Sequence, residues 1–289
     1  MIDVSGEEHT PPMGSSRLQM LVNIYIHIYL LTSMVVDIAW FQPREEWLGI
    51  HTGIIWAVDQ AEQVGPQVYR SLRERIIRGE LEPGELISES EIARAFSISR
   101  QPVREAFIKL AEEGLVEIRP QRGTMVRKIN IASVMDARFV REAVEADIVK
   151  IVAERRDPRV IASLYKQIEA QREVARQKAG DFLQLDEAFH RTLAVAADKA
   201  HVWSIVNNVK AQMDRLRQLS FVMVSAAELA VDQHHAVVEA ISNGDASGAE
   251  AAMRTHLRRI LSDLPAMAEL RPNYFESFDY QSNINVNCN

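Results

Sequence analysis

Residues 72–126, LRERIIRGELEPGELISESEIARAFSISRQPVREAFIKLAEEGLVEIRPQRGTMV, decide how this chain is read. Entering the stretch, residues 67–78 carry an apolar stripe of Val68, Leu72, Ile76 and Ile77, with the Arg75 stem alongside, and Gly79 stops the helix. Glu82-Pro83-Gly84-Glu85 is a turn. Ser88 and Glu91 stand at capping-box spacing, Ser88 on a backbone N–H and Glu91 reaching back, before a short helix over residues 89–96. After the turn at Ser97-Ile98, Ser99 is placed to cap a longer helix over residues 99–113. Pro102 is tolerated in its first turn and Gly114 ends it. Two β-like runs, residues 115–119 and 124–127, flank Pro120-Gln121-Arg122-Gly123 and form a hairpin.

The longer helix has two faces. Val103, Ala106, Phe107 and Leu110 recur at i, i+3, i+4 and i+7 and predict burial. Arg100, Gln101, Arg104 and Glu105 gather on the other side at the N-terminal turn, where a recognition helix meets base edges and phosphates. Arginine forks onto guanine, while Ser99 and Gln101 suit phosphates or bases; Arg119, Arg122 and Gly123 form a wing along the backbone. Basic residues on a helix are ordinarily just a solvated face. The order of elements, ending in an Arg-Gly-tipped hairpin, argues for DNA.

Working outward, the 289 residues hold 33 basic and 40 acidic side chains, a net of −7, so the whole chain is not a general polyanion binder. Residues 66–130 hold 12 Lys/Arg against 10 Asp/Glu, a net of +2 that leaves −9 elsewhere and makes any DNA surface local. The lone cysteine, Cys288, excludes an intrachain disulfide and fits a reducing cytoplasm. Residues 18–36 form an uncharged, largely apolar run of membrane-span length. Asn23, His27 and Thr32-Ser33 dilute it, and only Arg17 flanks its N-terminal side. Residues 1–62 are therefore expected to be a poorly ordered extension rather than an anchor.

Beyond Ile129 the pattern becomes helical throughout. Breaks fall at residues 157–158, 179–181, 198–200 and 243–245, and no strand signal of any strength occurs. The expected fold class is mainly α: a winged helix-turn-helix over residues 63–129, then an all-α bundle of about six helices over 130–268. Residues 269–289 are polar and aperiodic and are expected to be unstructured.

Four residues of the bundle stand out by spacing. Asp186 and His190, at i and i+4, share one helix face. His234 and His256 flank the Asn243-Gly244-Asp245 break almost symmetrically, so an antiparallel helix pair brings them to one height, about 16 Å from the turn at a rise of about 1.5 Å per residue. Three imidazoles and a carboxylate suit zinc, nickel or manganese with coordination positions left open. A histidine on a helix is also commonly satisfied by hydrogen bonds alone. Glu187 and His190 spell the E-x-x-H of di-iron bundles, but that chemistry needs a second copy and the chain has none.

Residues 72–126 resemble the DNA-binding domain of the GntR family of regulators, through P-G, S-R-x-P-V-R-E-A, E-G-L-V and R-G. Residues 136–262 resemble the helical ligand-binding domain of its FadR-type branch. Arg141-Glu142-Ala143-Val144-Glu145, Asp186-x-x-Phe189-His190, His234, Ala240-Ile241, Gly244-Asp245 and His256-Leu257 carry that likeness. The resemblance implies that Arg100 and Arg104, with Ser99, Gln101 and Gly123 beside them, contact DNA. It implies that Asp186, His190, His234 and His256 hold a metal, and that Arg141 pairs with an effector's carboxylate, though an ion pair with Glu145 explains Arg141 nearly as well. It also implies a homodimer. Ser97 stands where the family usually has glycine, Gln101 where threonine is frequent, and Gln233 where an acidic residue is commoner, which bears on how His234 is oriented.

The expected function is a DNA-binding transcriptional regulator, a repressor, whose operator affinity follows a small carboxylate bound at a metal site. Two other classes compete with it. A metalloenzyme would use the same histidines but lacks a positioned base, and an architectural DNA-binding dimer would bury them without an ion.

Overall fold

The computed structural model describes residues 58–59, 61–177, 182–221 and 224–276. The apolar run at 18–36, the break at 179–181, Cys288 and everything past residue 276 lie outside the described residues. Among the described residues no helix is long and apolar enough to cross a membrane.

The first domain comprises α1 (Val64–Arg78), β1 (Leu86–Ile87), α2 (Glu89–Ala95), α3 (Arg100–Glu112), β2 (Val116–Arg119) and β3 (Gly123–Val126). The strands form a small antiparallel sheet in the order β1-β3-β2, with Val116 opposite Val126 and Arg119 opposite Gly123. Val68, Leu72, Val103, Phe107, Leu110 and Leu115 close the core. Ser97 sits at φ +57°, a left-handed conformation where glycine costs least, so the turn before α3 tolerates serine with some backbone penalty.

Ser88 caps α2 as expected, but its capping box does not close and Ser99 makes no side-chain cap on α3. Ser88 accepts from the Ser90 N–H at 3.3 Å, but Ser90 Oγ, not Glu91, lies beside it at 2.7 Å. Ser99 holds the N-cap position of α3 with extended backbone, yet its side chain makes no cap bond and stays exposed.

The second domain is built from α4 (Ile131–Arg155), α5 (Pro158–Gln177), α6 (Phe182–Ala196), α7 (Ala200–Val209), α8 (Ala211–Phe221), α9 (Val224–Asn243), α10 (Ala246–Arg258) and α11 (Ile260–Leu270). Among the described residues these are eight helices rather than about six. Besides the break between Phe221 and Val224, the two others not expected, at Lys210 and Arg259, contain neither glycine nor proline, and local propensity does not announce them. Val149, Leu164, Ile168, Phe189, Leu193, Val237, Ile241 and Met253 form the core around α4. Gly244, at φ +72°, turns α9 back as α10, and a Cβ there would meet Arg156 Cδ at 2.8 Å. That hairpin sets His234 and His256 side by side.

Residues 269–276 are not an unstructured tail. After α11 a single 3-10 turn (Pro272–Tyr274) brings Phe275, 5% exposed, into a third core with Ile129, Met213, Leu264 and Met267. The Ile129 N–H donates to the Tyr274 carbonyl at 2.7 Å and the Glu276 N–H to the Ile129 carbonyl at 3.1 Å. Burial of one aromatic ring outweighs the polar character of the segment around it. The same junction is tied by Gln212, whose Nε2 donates to the Gly114 carbonyl at 2.6 Å, and by Arg215 on the Arg127 carbonyl at 2.8 Å. The two domains are thus tied through α8, which lies in the chain between the helix of His190 and the helix of His234.

Candidate metal centre and nucleic-acid interface

Amphipathicity puts Val103, Ala106, Phe107 and Leu110 inside the head and leaves Ser99, Arg100, Gln101 and Arg104 exposed, as are Arg122 and Gly123 at the hairpin. Glu89, at the start of α2, holds both arginines. Arg104 donates to it through Nε and Nη2, each at 3.0 Å, and Arg100 through Nη2 at 3.1 Å. The Arg104 hydrogen bonds hold the Glu89 carboxyl below the usual carboxylate range. Gln101 is turned along its own helix to Glu105 at 3.0 Å. This surface presents forked donors at the N-terminal turn of a helix, the arrangement that major-groove reading requires.

In the second domain, α6 supplies Asp186 and His190, α9 supplies His234 and α10 supplies His256. One ligand atom from each lies within 4.8 Å of all the others. His256 Nε2 stands 3.2 Å from His234 Nε2 and 3.2 Å from His190 Nε2. Asp186 places one oxygen 3.6 Å from His190 Nε2 and the other 3.6 Å from His234 Nε2. Phe189 stacks on His234 at a ring separation of 4.2 Å and walls the cluster from the core.

The far side of each ring explains the near side. His190 Nδ1 faces Glu145 Oε2 at 2.5 Å, His234 Nδ1 faces Gln171 Oε1 at 2.8 Å, and His256 Nδ1 faces Gln233 Oε1 at 3.1 Å. The Gln171 amide is oriented independently, since its Nε2 donates to the Leu185 carbonyl at 3.1 Å. An oxygen beside every Nδ1, hydrogen-bonded at His234 and His256 and in ion-pair contact at His190, favours the proton there and turns three Nε2 lone pairs toward one another. Lone pairs 3.2 Å apart have no proton to share. Of the buried Asp186 carboxylate, Oδ2 is in ion-pair contact with Arg217 Nη2 and Oδ1 has no hydrogen-bond partner. A divalent cation is the species that such a donor set fits. Burial pushes the His234 and His256 pKa values well below the usual imidazole range, and their neighbouring rings add to it, so both stay neutral and ready to ligate.

Comparison with known proteins follows the same division. Residues 65–126 match the model of the bacterial regulatory proteins of the gntR family, and residues 136–259 match the FCD domain. The chain is 37% identical over 219 residues to the HTH-type transcriptional repressor RspR of Escherichia coli strain K12, covering 75% of this chain and 96% of that one. It is 33% identical over 165 residues to the gluconate operon transcriptional repressor of Bacillus subtilis, covering 56% of this chain and 64% of that one. The chain belongs to the GntR family.

Solved structures agree on the fold of this GntR-family regulator. Escherichia coli McbR/YncC superposes with a TM-score of 0.61 at 18% identity, covering 71% of this chain and 99% of that one. A transcriptional regulator from Rhodococcus sp. RHA1 gives 0.56 at 24% identity, covering 70% and 98%. The chain is a DNA-binding transcriptional regulator with an FCD domain, not an enzyme.

Arg141 of the GntR-family regulator, 1% exposed, pairs with Glu145 at 2.6 Å and also lines a cavity of about 30 Å³ beside His256, with Arg217 and Arg259. Burial acts to raise the Glu145 pKa, but Arg141 and His190 outweigh it and hold the carboxyl well below its ordinary range. Glu145 therefore serves two partners, where the sequence suggested one. Gln233 orients His256 rather than its neighbour His234. Adjacent residues on a helix point about 100° apart, so the neighbour in sequence is not the neighbour in space. Two residues went unread. Gln171 gave no signal beyond a polar residue on an apolar face. Arg217, in contact with Asp186, lies in the α8 run Gln212-Met213-Asp214-Arg215-Leu216-Arg217, buried throughout despite its charges. A helix with no apolar stripe in the middle of a bundle was the available clue.

Proposed function

We propose that this GntR-family regulator is a repressor whose operator affinity is set by a small organic acid bound at a divalent ion. Asp186, His190, His234 and His256 would hold the ion, which supplies a Lewis-acidic anchor for a carboxylate; zinc, nickel and manganese all suit the donor set. The observation that carries the reading is the convergence of three Nε2 atoms, with an acceptor hydrogen-bonded to the opposite nitrogen of His234 and His256 and the Glu145 carboxylate beside that of His190. Arg141 and Arg217 border the adjoining cavity, whose volume of about 30 Å³ admits little more than ordered water. An organic acid therefore enters only if the walls move, and that gives it different affinities for two states, as regulation demands.

Residues 63–129 form the DNA-reading unit in this proposal and 130–268 the sensing and dimerising unit. Ser99, Arg100, Gln101 and Arg104 enter the major groove, with Arg122 and Gly123 of the wing on the backbone. A cytoplasmic homodimer must match half-site spacing, so a small change in head separation costs much affinity. The test joins metal analysis of purified protein to gel shifts on its own upstream DNA, with and without candidate acids. A stoichiometric ion, lost in His190→Ala and His234→Ala, and a shift released by one acid are expected. Protein that binds the DNA tightly yet carries no ion and answers to no acid would leave an architectural dimer in its place.

A further inference from the structure

Between Asp186 and the recognition helix runs a chain of buried charges that neither the DNA-reading surface nor the ligand cluster needs. Arg217 Nη2 touches Asp186 Oδ2, and Arg217 Nη1 donates to Asp214 Oδ1 at 3.0 Å. Asp214 Oδ2 accepts from Lys210 Nζ at 2.6 Å and stands 3.7 Å from Arg73 Nη2, on α1 of the head. Arg73 Nε donates to Glu113 Oε2 at 2.7 Å, and Glu113 is the residue that closes α3. The side chains of Arg217, Asp214 and Lys210 are 5%, 2% and 2% exposed, so salt screens them little.

Two features distinguish this chain from ordinary ion pairing. Arg73 Nη2 is buried with no hydrogen-bond partner, and Asp214 Oδ2 lies just out of reach. A carboxylate movement of about 0.5 Å would complete that bond. Arg217, meanwhile, serves Asp186 through Nη2 and both Asp214 and Glu187 through Nη1, the latter at 2.8 Å, so a stronger claim from the Asp186 side weakens its hold on the other two. An unpaired buried donor is costly, which brings the arrangement that pairs it close in free energy.

We propose that Asp214 is a counter-ion with two positions, shared between Arg217 on the ligand side and Arg73 on the DNA side. Its movement links the state of Asp186 to the C-terminal end of the recognition helix. The inference rests on the metal-centre reading above. A change of charge or position at Asp186 alters the pull on Arg217, frees or fixes Asp214, and so strengthens or weakens its competition with Glu113 for Arg73. Arg217, Asp214 and Arg73 are positioning residues in this account. They form a physical connection with two discrete arrangements, which transmission between distant sites requires.

The test is hydrogen–deuterium exchange on the full chain with and without zinc sulfate, the zinc content of each protein being measured in parallel. Wild type should show a zinc-dependent change in protection over residues 100–119. Asp214→Asn and Arg73→Gln should bind zinc with unchanged stoichiometry and lose most of that change, while Arg73→Lys recovers part of it. Arg70→Ala, which removes an exposed pair with Glu62, should respond as wild type does. Zinc bound with the head silent in wild type, or an undiminished response in both Asp214→Asn and Arg73→Gln, overturns the relay alone. Absence of bound metal in wild type, with zinc and equally with nickel and manganese, overturns the metal-centre reading and the relay with it.

Discussion

Gln171 and His234, 63 residues apart, meet at 2.8 Å where α5 crosses α9, and the Gln171 oxygen decides which imidazole nitrogen is left with a lone pair. Gln171→Leu keeps the bulk of the side chain and removes the acceptor. Metal affinity should fall roughly 10- to 100-fold while the helical content stays that of wild type. Competition against a zinc chelator measures this, and an unchanged affinity would mean that His234 is oriented by packing on Phe189 alone.

Metal removal should cost stability by mass action, because an ion that binds only the folded chain adds about 2.7 kcal/mol at a hundredfold excess over Kd. Chelated wild type should melt lower than zinc-loaded wild type. His190→Ala combined with His234→Ala should show no difference between the two conditions. Scanning calorimetry of the four samples decides it.

The buried histidines also set the acid sensitivity of chelated protein. Burial keeps His234 and His256 neutral in the folded chain down to pH values well below 6.5, whereas in the unfolded chain they take protons near 6.5. The unfolded state then binds more protons, so stability falls as pH drops below about 6.5 and recovers above it. Urea melts at about pH 7.5 and about pH 5.5 should show the loss. It should shrink in a His234→Gln His256→Gln variant.

On the DNA side, Arg104 is the most strongly forked donor of the exposed surface in the free protein, and Glu89 is its holder. Arg104→Ala should weaken binding to the regulator's own upstream DNA roughly tenfold or more. Glu89→Gln removes a negative charge from the same surface and should tighten binding to unrelated duplexes. Fluorescence anisotropy at two salt concentrations separates the effects. Wild-type affinity in Arg104→Ala would move the reading surface elsewhere.

Phe275 anchors the chain after α11 against Ile129 at the junction of the domains. Phe275→Ala should destabilise the protein by about 3–5 kcal/mol, the usual cost of emptying a buried aromatic site. Denaturant unfolding checks it, and a change below about 1 kcal/mol would show that the junction collapses to fill the space.

The head was legible because its signals are local. Proline, glycine and caps mark the element ends within a few residues, and one apolar stripe fixes which side of α3 faces out. Ser97 shows the same legibility at a departure, its left-handed backbone explaining why glycine is the easier choice there. The candidate ligands were legible in part for a similar reason: i and i+4 spacing, and near symmetry about Gly244, are properties of single helices and one hairpin. What only the tertiary structure decided is everything that depends on how helices rotate and cross. Gln171 beneath His234, Gln233 on His256 and Arg217 against Asp186 each join side chains from different helices, or from turns that periodicity resolves only to a face. Sequence determines which face of a helix is buried; packing against its neighbours determines which atom on that face finds which partner.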